Sequence, residues 1–123
     1  MAAAAFAAAC ASARYAACPL ELGGAAPAEA FVACRALLLQ RYGALVVDDA
    51  ATFRLQTVWG AVPGEAAERR ATVFRDDADE LAIVVELRRI RQPLVGLPAW
   101  TAPRGDAAAE RELAAALRNE LSR

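Results

Sequence analysis

RATVFRDDADELAIVVELRRI, residues 70–90, is the stretch whose reading decides the fold. Arg70 to Arg75 and Leu81 to Ile90 are runs rich in β-branched residues, and Asp76-Asp77-Ala78-Asp79 between them supplies turn chemistry. In the second run Leu81, Ile83, Val85 and Leu87 recur at the period of two that a half-buried strand requires, while Val84 implies partial burial of the other side as well. The spacing predicts a β-hairpin.

Upstream, Thr52 to Trp59 (TFRLQTVW) shows the same period: Phe53, Leu55, Thr57 and Trp59 alternate with Thr52, Arg54, Gln56 and Val58. The short apolar run Ala44 to Val47 precedes it, with Asp48-Asp49 as the turn, so a further hairpin is expected, with Trp59 in the core. Val62 to Glu68 contains Pro63-Gly64 and reads as a loop. From Pro27 to Tyr42, Phe31, Cys34, Leu38 and Tyr42 fall at helical spacing, with proline in the first turn and Gly43 just past the end. Arg14 to Leu22 is a candidate first strand ended by Gly23-Gly24, in which Pro19 marks an edge or a bulge.

Downstream, Gln92 to Gly105 carries Pro93, Pro98 and Pro103 and reads as one long loop. Asp106 is a good N-cap for a final helix, where Leu113, Leu117 and Leu121 line one stripe beside Ala109 and Ala116. The expected fold is therefore α+β: an antiparallel sheet of about four to five strands in the order β-α-β-β-β-β-α. A sheet with one apolar face needs cover, so both helices are expected on one side, leaving the other mostly polar or open to a partner. Residues 14–123 form one such domain behind an alanine-rich leader, residues 1–13.

Composition narrows the functions. The 123 residues are 58% hydrophobic, but much of that is alanine, so the core must come from a short set of larger side chains. A net charge of −1, from 14 basic and 15 acidic residues, with no basic stripe, removes the electrostatic footprint that a nucleic-acid or anionic-membrane binder needs, and no nucleic acid is expected as a partner. The basic residues are all arginine, and the chain has no histidine, which removes the usual general base, metal ligand and serine triad. Asp76, Asp77, Asp79 and Glu80 lack the spacing of a calcium loop and read as a solvated turn, as does Asp48-Asp49. Gly23-Gly24 lacks the further residues of a phosphate loop. No catalytic, cofactor-binding or metal-binding residue is expected, and an enzyme is the least favoured class.

MAAAAFAAA at residues 1–9 leads into Cys10-Ala11-Ser12, small residues running up to a cysteine as in the bacterial lipobox. No Lys or Arg precedes it, so an alanine-rich tail of a cytoplasmic protein is the alternative. Cys10 is the lipidation candidate. Cys18 and Cys34 are a candidate disulfide in an oxidising periplasm, or two independent buried thiols. In the proline-rich stretch, Leu94, Val95, Leu97 and Trp100 are candidate partner contacts; Trp100 either plugs the end of the sheet or anchors a partner. Arg88, Arg89 and Arg91 read as a solvated edge that discourages sheet-to-sheet pairing.

The lipobox-like Cys10, the AEAF helix (residues 28–31) ending at Tyr42-Gly43, the Val46-Val47-Asp48-Asp49 strand and turn, and Thr57-x-Trp59 together resemble a known group. They are similar to the small helix-grip-like domains of bacterial outer-membrane lipoproteins, of which the BamC family is the best-known example. The resemblance spans Arg14 to Leu121. It implies a lipid-anchored protein on the periplasmic face of the outer membrane, acting by contact with an envelope protein and carrying no catalytic residues. The alternative is a small-ligand binding domain, cytoplasmic in one version, with an apolar pocket between sheet and helix. No pattern in the chain sets its oligomeric state.

Overall fold

The 70–90 hairpin forms as expected and is longer than the sequence suggests. The structure, a computed structural model, describes residues 17–122. In it β5 (Ala67–Arg75) pairs antiparallel with β6 (Leu81–Arg91) from Ala67↔Arg89 to Arg75↔Leu81. Asp76 shapes the turn: its Oδ1 accepts from the backbone N–H groups of Ala78 and Glu80, each at 2.9 Å. The remaining elements are β1 (Cys18–Pro19), α1 (Pro27–Tyr42), β2 (Leu45–Asp49), β3 (Arg54–Thr57), β4 (Gly60–Ala61), β7 (Ala99–Trp100), β8 (Arg104–Gly105) and α2 (Ala107–Leu121).

The class is α+β, an antiparallel sheet covered by two helices, but the sheet has eight strand segments where four to five were expected. They run across in the order β2-β3-β5-β6-β1, with β4 beside β5 past the end of β3. The far edge of β6 is covered in tandem. Here β1 pairs at Ala82 and Ile83, β8 at Glu86 and Leu87, and β7 at Ile90 and Arg91. Two of the three extra segments come from a stretch expected to be a loop, and β4 from Gly60-Ala61, between an expected strand and an expected loop. Gln92–Gly105 contains β7 and β8, because a long apolar strand such as β6 leaves its edge N–H and C=O groups to be satisfied and nearby chain meets them. Pro98 and Pro103 sit just before the paired residues, where they remove no ladder donor.

Other boundaries shift for local reasons. Asp48 and Asp49 belong to β2, and the turn follows them: Asp49 accepts from the N–H groups of Ala51 (3.0 Å) and Thr52 (3.4 Å). Val62–Glu68 is a tighter turn than expected, with β5 already begun at Ala67. The first strand is reduced to Cys18–Pro19 on the sheet edge, and its expected start, residues 14–16, lies outside the described residues.

Both helices pack on one face. Phe31, Cys34 and Leu38 of α1 and Leu113, Ala114 and Leu117 of α2 meet Leu55, Ala71, Val73, Ile83 and Val85 of the sheet in one core. Asp106 caps α2 by accepting from the Ala109 N–H at 3.1 Å. One turn on, Glu110 is 1% exposed, and its Oε2 accepts from the Val85 N–H at 2.9 Å while the Asp106 N–H donates to the Val85 C=O at 2.8 Å. The start of α2 thus does the work of a strand in the gap between β1 and β8.

Burial raises the pKa of Glu110 above its ordinary 4.5, opposed by the Val85 N–H. A folded value above the unfolded one means that the group's contribution to stability is fully present below pH 4.5 and is lost as pH rises through the folded value. Glu110→Gln keeps an oxygen for the Val85 N–H and removes the charge. Its urea midpoint should gain on the wild type over that window and level off above it; a difference flat from about pH 4 to about pH 8 contradicts this.

Candidate interaction surface

The side of the sheet away from the helices carries an ordered set of charges and aromatics. Strand alternation turns Ala71 and Val73 inward and Glu68 and Arg70 outward on β5; on β6 it turns Ile83 and Val85 inward and Glu86 and Arg88 outward. Antiparallel register then sets Arg70 opposite Glu86 and Glu68 opposite Arg88. Arg70 grips Glu86 through Nε–Oε1 at 3.0 Å and Nη2–Oε2 at 2.9 Å, a bidentate pair in which Glu86 is only 7% exposed. Arg88 donates to Glu68 Oε1 from Nε at 3.0 Å.

Trp59 lies among these arginines instead of in the core. The Arg70 and Arg88 Cζ atoms are 4.5 Å and 4.2 Å from its ring centroid, and Arg88 is also 4.5 Å from the centroid of Trp100. The result is an alternating stack, Arg70–Trp59–Arg88–Trp100, with each arginine also held by a carboxylate. The expected phase fails at Thr57. That residue is buried, accepts from the Ala71 N–H at 3.0 Å and ends β3, so the period of two does not carry through to Trp59. Arg88, expected at a solvated edge, is a central member of the stack.

Trp100 neither plugs the sheet nor hangs free. Paired with Ile90 in β7, it caps the stack and remains 44% exposed. Between the two strands, Leu94, Val95 and Leu97 are 105%, 90% and 87% exposed, around Gly96 at φ 106°. Thr101 secures the base: its N–H donates to the Arg89 C=O at 2.8 Å and its Oγ1 accepts from the Arg89 N–H at 3.0 Å. All four candidate contact residues are therefore brought to one hairpin.

The cysteines divide differently. Cys10 lies outside the described residues. Cys18 and Cys34 are free thiols, and burial pushes Cys34 up to about 12, so it is a small core hydrophobe with little thiolate at neutral pH. Leu38, Leu55, Ile83, Leu113 and Leu117 are each at most 1% exposed and fill the layer between sheet and helices where the ligand alternative placed a pocket. A cleft of about 620 Å³ lies elsewhere, lined by Val47, Asp49, Phe53, Arg54, Phe74 and Asp76 among others. Among the described residues no group of three or more His, Cys, Asp or Glu could hold a metal ion, and no helix is long and apolar enough to cross a membrane.

Comparison of the chain with protein families, with curated proteins and with solved structures finds no match.

Proposed function

We propose that the chain is a non-enzymatic interaction domain of the bacterial cell envelope, tethered by lipid on Cys10, which binds an envelope protein through the helix-free face of its sheet. The observation that carries this reading is the Arg70–Trp59–Arg88–Trp100 stack. Tryptophan and arginine are the residues that most often dominate interface energetics, and here ion pairs and ring contacts already hold them in place, so binding costs less side-chain entropy. The filled core supports a surface role over a ligand pocket. The compartment rests on the lipobox-like Cys10 and on the resemblance to the BamC family.

Two measurements test it. Intact mass of the natively expressed protein should show a chain that begins at a diacylglyceryl Cys10, in the membrane fraction; an unprocessed chain in the cytoplasm with free Cys10 overturns the envelope assignment. A photo-crosslinking residue at Gln56, on the same face, should give a discrete protein adduct that weakens on Trp59→Ala. An adduct indifferent to that change removes the stack from the interface.

A further inference from the structure

The hairpin that closes β6 onto β7 has a different chemistry from the face beside it. Its tip is convex and aliphatic: Leu94, Val95 and Leu97 are almost wholly in water, 87% to 105% exposed. Three almost fully exposed aliphatic side chains within four residues form the kind of apolar patch that marks an interaction site. The tip is also held in shape, bracketed by Pro93 and Pro98, turned at Gly96 and pinned at its base by Ile90↔Trp100 and by Thr101.

Charge is uneven along this part of the sequence. From Leu87 to Gly105 the sequence has four arginines and no Asp or Glu, in a chain whose net charge is −1. Two of the four are matched across the sheet, Arg88 by Glu68 and Arg89 by Glu65. Arg91, opposite Ala99 at the start of the tip, and Arg104, in β8, form no ion pair among the described residues. From the tip toward its base the hairpin presents aliphatic side chains, then unpaired Arg91 opposite Ala99, then the half-exposed Trp100 indole opposite Ile90, with unpaired Arg104 further back opposite Leu87. A bilayer interface presents partners for all three, acyl chains, the headgroup boundary and lipid phosphates, and the long arginine side chain reaches back to phosphate level from beside the tip. A convex tip would need a protein partner to supply a pocket, whereas a membrane accepts it as it stands.

We propose that the Leu94–Leu97 tip inserts into an anionic phospholipid surface, with Trp100 at headgroup level and Arg91 and Arg104 on lipid phosphates. The proposal rests on the envelope reading only for where such a surface is met. The whole-chain charge, which gives no membrane footprint, conceals this local excess. A diacylglyceryl tether carries two acyl chains and holds the protein at the bilayer by itself; the tip contact would add a second point of attachment that fixes the orientation of the sheet face.

The test uses the full chain carrying Cys10→Ser, so that no lipid contributes, and vesicles of phosphatidylcholine with or without phosphatidylglycerol. The chain should co-sediment with the phosphatidylglycerol vesicles, with a blue shift in tryptophan emission, and less so as salt is raised. Leu94→Ser/Leu97→Ser and, separately, Arg91→Gln/Arg104→Gln should each weaken partition by about tenfold or more. All four side chains are exposed, so folding is spared. No sedimentation of the parent chain, or equal sedimentation of the Leu94/Leu97 variant, overturns the proposal. A photo-crosslinker at Val95 that yields a protein adduct and no lipid adduct in cells also overturns it, in favour of a protein partner. Neither vesicle result depends on the processing of Cys10, so this proposal and the envelope reading can fail separately.

Discussion

Phe53→Ala is expected to lower stability by about 3–5 kcal/mol, read as a fall in urea midpoint at unchanged slope. The ring is 3% exposed and meets Phe31 edge to face, with centroids 5.3 Å apart and planes at 87°. It enters the core from the turn between β2 and β3, where Phe53 takes φ 51°, a region that a bulky residue rarely occupies. Burial of the ring holds that backbone in place. Alanine removes the ring and keeps the unfavourable φ, so nothing offsets the loss. Phe53→Gly deletes one carbon more but suits a positive φ, and should be more stable than Phe53→Ala despite glycine's greater unfolded-state freedom. A loss below about 1 kcal/mol for the alanine variant would show that the Phe31–Phe53 contact is peripheral.

The second large effect belongs to the helix-free face. Arg70→Leu removes both partners of the Glu86 carboxylate, which is nearly buried, and should cost about 3 kcal/mol. Removing the carboxylate as well relieves most of that penalty, since two packed leucines in place of a part-buried ion pair are close to neutral. The double variant Arg70→Leu/Glu86→Leu should therefore be more stable than Arg70→Leu alone, and a double-mutant cycle measures the coupling. Near-UV circular dichroism should change in both, because Trp59 loses the guanidinium 4.5 Å from its ring. A double variant no more stable than the single one would mean that Glu86 finds water without Arg70.

Much of the layer structure was legible because it follows from periodicity. Phe31, Cys34 and Leu38 on α1, Leu113 and Leu117 on α2, and Ile83 and Val85 on β6 are all in the core to which their spacing assigns them. What was not legible depends on neighbours distant in sequence. Two-residue strands such as Ala99–Trp100 have no period to detect, and their place is set by the open edge of β6. Glu110 reads as a surface charge on α2, and only the unpaired Val85 N–H explains why it is buried. The alternation of residues 52–59 places Trp59 in the core only if it continues past Thr57, where β3 ends. The candidate site did leave one mark. Glu68-Arg69-Arg70 and Glu86-Leu87-Arg88 are both Glu-x-Arg, and two such words in antiparallel strands set each glutamate opposite an arginine when the register allows. That register is fixed by the Asp76 turn, so the mark becomes meaningful only once the hairpin is known.

The patchwork along β6 has a consequence for how the chain is made. The eleven-residue β6 is complete once Arg91 has been synthesised, yet of the segments that cover its far edge only β1 lies earlier in the chain. The other covers, Trp100, Arg104 and the first turn of α2 through Glu110, are made later. A released chain that ends before these covers therefore presents a long and largely apolar strand with most of one side unpaired, the condition in which edges pair with other chains. Release of chains stalled or cleaved between Arg91 and Glu110 should yield aggregates, while chains that include α2 close the gap themselves.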